Sequence, residues 1–534
     1  MTRASYQAVV IGAGPNGLTA ANLLADAGWQ VLLLESQERI GGAVASDNSV
    51  HPDFTHDTFS SFYPLAAASP VLTAMELEKH GLIWSHAPSV VGSPAPGRGW
   101  ALIHHDPDET ASGLDKLHPG DGDAWLQMIH TWRQISGPFV DALLTPFPPL
   151  KATARLLPRL PRAGGLSLIK MLVEPARTLT QTRLKGSAAQ LLIAGNAAHA
   201  DIPPDAAGSG LFGWLLAMLA QDVGFPVAKG GAGHLARALA DRFTAYGGDI
   251  RCRAEVDRVL TAHGRAIGVR LVGGETITAS RAVIADVPAS VLYGELVPWN
   301  ELPSTTRRRM RSFQWDPGTV KVDWALAAPV PWIDPPVKAP GTVHLAGSVD
   351  ALSRSMTQIK AGLIPDDPFL LIGQMTAADL TRSPTGTEAL WAYTHVPQHV
   401  NDDAGAGGIT GRWDRDDLER FADRMQNKIE KAAPGFADTI LVRRILGPPQ
   451  LQAADANLIG GALNGGTAAL HQQLIFRPIP GFGRTETPIK DLYLGSASAH
   501  PGGGVHGACG ANAARAAIAH HRLPHRSRPT AGTR

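Results

Sequence analysis

Residues 8 to 11 form a short apolar run of the kind a buried parallel strand needs, and Leu18, Ala20, Ala21, Leu23, Leu24 and Ala27 then repeat at helical spacing. Val31-Leu32-Leu33-Leu34 is a second apolar run, so the chain opens as strand, turn, helix, strand. Residues 91 to 122 are rich in Pro, Gly and Asp and predict loops and short strands. From 123 to 222 the pattern is mostly helical but broken at Pro146, Pro148, Pro149, Pro158 and Pro161, which predicts a helical insertion. Its greasiest stretch, Leu211 to Ala220, is well short of the ~20 residues of a membrane span and predicts a buried helix. The period then changes. Leu235 to Tyr246 predicts an amphipathic helix, and Asp249 to Leu260 and Ala266 to Leu271 predict strands joined by a turn at Gly264. Ala282-Val283-Ile284-Ala285 predicts an apolar strand ending in Asp286. Between 300 and 480, strands around Val320 to Leu326 and Phe369 to Ile372 and a helix from Asp416 to Ala432 suit an antiparallel sheet. Asp491 to Gly495 predicts a last strand, and Gly510 to His520 a last helix.

The turn between the first strand and helix is Gly12-Ala13-Gly14-Pro15-Asn16-Gly17. Gly12 allows a tight turn, Gly14 lets a pyrophosphate approach the backbone, and Gly17 lets the helix sit close on the strand, with its free N–H groups toward the phosphates. Glu35 ends the next strand 23 positions after Gly12, where a carboxylate accepts hydrogen bonds from a ribose diol and repels the extra phosphate of NADP. Arg39-Ile40-Gly41-Gly42 follows at once and resembles the second contact of flavoproteins that bury FAD in extended form. FAD is therefore the expected cofactor.

A length of 534 residues favours two domains, and 44% hydrophobic with 18% charged residues describes a globular chain with ample apolar surface to bury. A formal charge of +1 offers nothing to a nucleic acid. Cys252 and Cys509 stand far apart, which removes a metal cluster and a dithiol redox centre. After Met1 the chain runs straight into the first strand with no leader pattern, so the cytoplasm is the expected compartment, with peripheral membrane contact through the helical insertion left open.

Between the last strand and helix lies Ser496-Ala497-Ser498-Ala499-His500-Pro501-Gly502-Gly503-Gly504-Val505-His506-Gly507. So many glycines suit a backbone that closely approaches a ligand, here the pyrimidine end of a flavin beside a helix N-terminus. Together with Pro226 and Gly230-Gly231-x-Gly233, Gly247-Gly248 leading to Val256, Asp379 to Pro384, Thr394-His395-Val396-Pro397, and Gln473 with Arg477-Pro478, these motifs look like the phytoene-desaturase-like flavoproteins. Within them the chain is most similar to the branch named for pyridine nucleotide-disulfide oxidoreductase domain-containing protein 2. The resemblance spans nearly the whole chain and is most specific at its two ends.

It implies an α/β flavin-amine-oxidase-like fold: a discontinuous Rossmann-type FAD-binding domain at 1–90, 226–290 and 485–520, and an α+β substrate domain with an antiparallel sheet and the helical insertion at 91–225 and 291–484. Residues 521–534 are expected as a disordered tail. FAD would be held by Gly12, Gly14, Pro15, Asn16, Gly17, Glu35, Ser36, Gly41, Gly42 and Ala43, by backbone at Val256, and by Gly495, Gly503, Gly504, Val505 and His506. Two departures set the chain apart from bacterial carotenoid desaturases: Ala43 stands where they usually have arginine, and His506 where they have proline. The disulfide-reductase part of the branch name finds no paired cysteines here.

Such a site predicts a hydride passing from a largely apolar small molecule to flavin N5, with a proton leaving to a base or water. His500 and His506 are the expected catalytic groups, six positions apart in the glycine loop; the alternative is that each only hydrogen-bonds backbone or flavin carbonyls. His56-Asp57, in the segment after the first glycine pair, reads as a solvated loop, the alternative being that it passes along the flavin ring face, and the alternating Trp391, Tyr393 and His395 read as either a pocket wall or core. Gly230 to Gly233 follows a loop and not a strand, so no second dinucleotide fingerprint is present, and oxygen, a quinone or another soluble acceptor is expected to take the electrons. Three other functions stay open at this stage: an amine or amino-acid oxidase, a non-redox flavin-dependent isomerase, and a lipid-binding escort on the same fold.

Overall fold

The computed structural model describes residues 5–95 and 97–522. Strand Ser5–Ile11 lies at the centre of a seven-stranded sheet, parallel to Val31–Leu34 on one side and Thr276–Ala285 on the other. All four residues of Val31–Leu34 are buried, as expected for a parallel strand covered on both faces. Thr276–Ala285 is long enough to serve two neighbours. Its first half pairs antiparallel with Arg265–Leu271, and its last residues pair parallel with Leu492–Leu494 from the far end of the chain.

Helices Pro15–Asp26 and Gly233–Ala245 cover one face of this sheet, together with the last helix, Ala508–Arg522. The last helix rests on the first so closely that a Cβ at Gly510 would lie 1.8 Å from the carbonyl oxygen of Asn16. It also runs further than expected: His521 and Arg522 belong to it and not to a disordered tail, and the His521 ring meets the edge of Trp29 at 5.5 Å. The rest of that tail, 523–534, lies outside the described residues.

The stretch 249–260 is not one strand. It splits into Asp249–Arg251 and Val256–Ala262 at opposite edges of the sheet. The chain turns at Arg253, whose φ is 53°, and the amides of Arg253 and Ala254 donate to the carbonyls of Gln37 and Glu35 at 2.9 and 2.8 Å. Hydrogen bonds across the strand ends outweigh the local β pattern here.

A second seven-stranded sheet runs in the order Ile440–Leu446, Gly318–Leu326, Glu388–Val396, Leu370–Gln374, Pro340–Leu345, Ser89–Ala95 and Gly99–Ile103. It is antiparallel except where Pro340–Leu345 meets Ser89–Ala95. Helix Arg415–Ala432 covers one face with Leu418, Phe421, Met425 and Ile429. The helices between 107 and 222 pack around their own core of Trp125, Trp132 and Trp214, and helix Ser209–Asp222 is buried as expected. No helix among the described residues is long and apolar enough to cross a membrane.

Candidate cofactor and substrate cavity

The glycine turn is as tight as its sequence demands. Gly12 leaves the strand at φ 93°, and a Cβ on Gly17 would sit 2.0 Å from the Gly12 carbonyl oxygen. Two carboxylates brace the turn. Glu35 accepts from the amide of Ala13 at 2.8 Å through Oε2 and from Gln37 at 2.9 Å through Oε1, while Asp286 Oδ2 accepts from the amide of Gly17 at 2.7 Å. Among the described residues, the amides of Gly14 and Asn16 find no acceptor within the protein. They are the free donors that a helix N-terminus offers to an anion. Burial raises Asp286 to about 8, with the charges of Asp455 and Glu35 adding to the shift. The carboxyl is therefore neutral near pH 7, which keeps one negative charge away from a pyrophosphate.

These residues line one end of a cavity of about 1310 Å³ that reaches from the first sheet to the second. At the far end stand Thr319 and Lys321 from strand Gly318–Leu326, and Trp391 and Tyr393 from the paired strand Glu388–Val396. Phe62, Leu371 and His199 complete that wall. Trp391 and Tyr393 stack with centroids 5.9 Å apart and planes 21° apart, and Lys321 Nζ lies 5.9 Å from the Trp391 ring centre.

Lys321 is the buried cation of this wall. Its ammonium donates to the carbonyl of Asp57 at 2.9 Å and pairs with Asp323, which also takes Arg444 at 2.8 Å. Burial lowers its pKa, and the carboxylate of Asp323 offsets part of that shift. His199 Nε2 lies 3.0 Å from His344 Nε2. Burial lowers both histidines, His344 to about 3, so the two rings meet as neutral imidazoles.

Of the expected cofactor residues, Gly12, Gly14, Pro15, Asn16, Glu35, Ser36, Gly42, Ala43, Val256, Gly504 and Val505 line the cavity. Gly17, Gly41, Gly495 and Gly503 stand behind the lining. The amide of Gly41 donates to Ala13 at 2.9 Å, that of Gly495 to Ala285 at 2.8 Å, and a Cβ on Gly503 would meet Asn464 at 2.5 Å.

His500 and His506 are not brought to the cavity wall. His506 Nδ1 accepts from the amide of Ala508 at 3.0 Å at the start of the last helix, and its carbonyl accepts from Ser69 Oγ at 2.7 Å. His500 Nε2 lies 3.0 Å from the carbonyl of Thr145. Burial holds each near 4, so both stay neutral and tie the glycine loop to its surroundings. His56 and Asp57, expected in a solvated loop, are fully buried. Asp57 Oδ1 holds Arg382 at 3.0 Å and the amide of Ala232 at 2.8 Å. The amide of Gly230 is likewise taken by Asp379 at 2.7 Å, so this second glycine run is braced by the protein's own carboxylates.

Trp391 and Tyr393 had a sequence signal in their alternation. Thr319 and Lys321, which share one strand, and Phe62, His199 and Asn464 had none, because the cavity gathers them from four separate segments. Asn16 Oδ1 and Asn464 Nδ2, on two lining residues, are buried with no protein partner. With the free amides of the turn, they leave polar positions at the flavin nucleotide's expected place, and the residues present fit FAD.

A Rossmann turn with an acidic partner, opening on a cavity whose far wall comes from an antiparallel sheet, defines an FAD-dependent oxidoreductase of the flavin amine oxidase fold. Residues 10–75 match the NAD(P)-binding Rossmann-like domain, and residues 126–343 match the flavin containing amine oxidoreductase family. The chain is 29% identical to pyridine nucleotide-disulfide oxidoreductase domain-containing protein 2 of Rattus norvegicus, over 95% of this chain and 92% of that one. It is 27% identical to hydroxyneurosporene desaturase of Cereibacter sphaeroides, over 93% and 94% of the two chains. Among solved structures, putrescine oxidase bound to putrescine shares the fold, with a TM-score of 0.61 at 15% identity over 97% of this chain and 99% of that one.

Proposed function

We propose that this oxidoreductase is a dehydrogenase or desaturase that removes a hydride from a largely apolar, uncharged small molecule and passes the electrons to oxygen, a quinone or another soluble acceptor. The observation that carries this reading is the composition of the far wall. Phe62, Leu371, Trp391 and Tyr393 offer aromatic and aliphatic surface, and Lys321 is the cation among them. FAD, when bound, supplies the hydride acceptor at N5. The wall's own contribution is to bind an apolar skeleton, exclude water and hold it by shape. With its lowered pKa, the Lys321 ammonium can give up or regain a proton at Nζ at lower cost than an exposed lysine.

An amine oxidase is the competing reading, favoured by the fold shared with putrescine oxidase. The charges argue against it. Most carboxylates that line the cavity, such as Glu35, Asp286 and Asp455, belong to the nucleotide end, and Asp47 is paired with Arg444 at 2.8 Å. A protonated amine at the far wall would meet Lys321 and no free carboxylate.

The test is anaerobic titration of the FAD-loaded protein with apolar alcohols and alkenes and with a panel of amines, following flavin absorbance and product mass. Bleaching by an apolar compound with a loss of two hydrogens is expected. Bleaching by amines alone, with hydrogen peroxide formed on admitting air, would overturn the proposal; rapid bleaching by NADPH without substrate would overturn the acceptor assignment.

A further inference from the structure

The segment after the second strand is clamped between two elements. A Cβ on Gly42 would lie 3.1 Å from Cα of Gly14, and a Cβ on Gly41 would lie 3.2 Å from Cβ of Ala236 on helix Gly233–Ala245. Ser46, three residues beyond Ala43, accepts through Oγ from the amide of Gly233 at 3.0 Å. The paired glycines therefore have the phosphate-facing turn on one side and the start of this helix on the other. Arg237, the residue after Ala236, lines the cavity together with Gly42 and Ala43.

The rest of the helix has little to offer an anion. Its first amides are spent, since Ala232 donates to Asp57 at 2.8 Å and Gly233 to Ser46. Its other arginine is spent as well: Arg242 donates to both carboxylate oxygens of Asp26, to Asn22 Oδ1 and to the carbonyl of Met75, at 2.9–3.1 Å. Arg237 differs from both. It is exposed at the mouth of the cavity, and among the described residues its guanidinium has no hydrogen bond or ion pair.

A pyrophosphate brings a negative charge on each of its phosphates to this end. The amides of Gly14 and Asn16 meet them with partial charges only, Glu35 adds to the negative side, and Gly41-Gly42-Ala43 carries no cation. The lysines and arginines that line the cavity are Lys321, bound to Asp323 at the far wall, and Arg39 and Arg237. Arg39 follows Glu35 by four residues and so belongs to the ribose end. Arg237 stands beside the glycines that rest on Gly14, where the pyrophosphate approaches, and a guanidinium fork matches phosphate oxygens.

We propose that Arg237 binds the pyrophosphate of FAD, supplying the cation that the paired-glycine turn lacks. The inference rests on FAD as the cofactor and is independent of what the cavity oxidises.

Two measurements on the holoenzyme test it: release of FAD on dilution, followed by flavin fluorescence, gives Kd, and phosphorus NMR reports on the bound phosphates directly. Arg237→Ala should raise Kd about tenfold, the low end for a charge-assisted hydrogen bond because the side chain meets solvent, and should move a pyrophosphate resonance. Arg237→Lys should stay within about threefold of the unaltered protein, since an ammonium keeps the charge. Raising salt from about 0.05 M to about 0.5 M should weaken the unaltered protein more than Arg237→Ala. Arg39→Ala should leave the phosphorus spectrum in place. If Arg237→Ala fails to fold, Arg237→Gln gives the same readouts, and if FAD does not leave on dilution, the phosphorus spectrum decides alone. A yellow unaltered protein whose Kd and phosphorus spectrum Arg237→Ala leaves unchanged would overturn this proposal alone. So would a resonance moved by Arg39→Ala and not by Arg237→Ala, or a lysine variant as weak as the alanine one with its phosphorus spectrum unmoved, the mark of a guanidinium stacked on a ring. A colourless unaltered protein with no affinity for FAD would overturn the cofactor assignment as well.

Discussion

The two ends of the cavity are built by different means. At the nucleotide end the ligand-facing groups are largely backbone: the amides of Gly14 and Asn16, in a turn so tight that a Cβ added at Gly17 would lie 2.0 Å from the Gly12 carbonyl oxygen, and one carboxylate at the end of the next strand. At the far end they are side chains, with Phe62, His199, Lys321, Leu371 and Trp391 supplied by separate stretches of chain. A site made of backbone needs a fixed local spacing and tolerates no added Cβ. A site made of side chains needs only a scaffold and can change its occupants one at a time. The first kind therefore announces its cofactor, and the second conceals its substrate.

Substitutions at the two ends should accordingly fail in different ways. The largest effect is expected from Gly17→Val, whose side chain has no space between the helix and the Gly12 carbonyl. The purified protein should be nearly colourless, with FAD affinity down by at least about 100-fold at a cost of roughly 3 kcal/mol; a normal yellow preparation would contradict the turn's assigned role. Lys321→Met should keep its flavin and lose turnover by about 10²–10⁴-fold, the range of a removed proton-transfer group. Flavin absorbance measured beside turnover separates the two, and loss of both together would mean that Lys321 serves the fold and not the chemistry.

Next comes a pH effect at the nucleotide end. Burial keeps the Asp286 proton on the folded protein up to about 8, while an unfolded chain releases it near ~4. Across that window the native state holds more protons than the unfolded one, so stability falls as pH rises and levels off above it. Asp286→Asn should remove this part of the slope while still accepting from the amide of Gly17. Thermal melts of both proteins at a series of pH values decide it, and parallel curves would refute the assignment. The smallest effect is expected from Trp391→Ala, which removes one panel of the far wall. KM for an apolar substrate should rise about tenfold, as for lost shape contacts of 1–3 kcal/mol, with flavin content unchanged.

The same division explains what could be read from the sequence. The opening strand, turn and helix, Glu35, and the last strand and helix were legible because hydrophobic period and glycine spacing act over a few residues. The strand expected at 249–260 was misjudged because Arg253 and Ala254 are held by Gln37 and Glu35, more than 200 positions away. His500 and His506 stood out in the loop, but their direction was not encoded there. Ser69, Thr145 and Ala508 bind them instead of the cavity. Lys321 was invisible, since a lysine within an apolar strand says nothing until Asp57 and Asp323 are found beside it.

The contact of Gly510 with the carbonyl of Asn16 also bears on how the molecule is made. Roughly 490 residues separate the two, so at 5–20 residues per second the ribosome takes about 25–100 s to deliver the second after the first. Throughout that interval the opening turn has emerged without the helix that closes over it. A transcript cut short near its end would leave a polypeptide with most of its secondary structure and an unsealed prosthetic-group pocket, a distinction that pigmentation of the product would reveal to the eye.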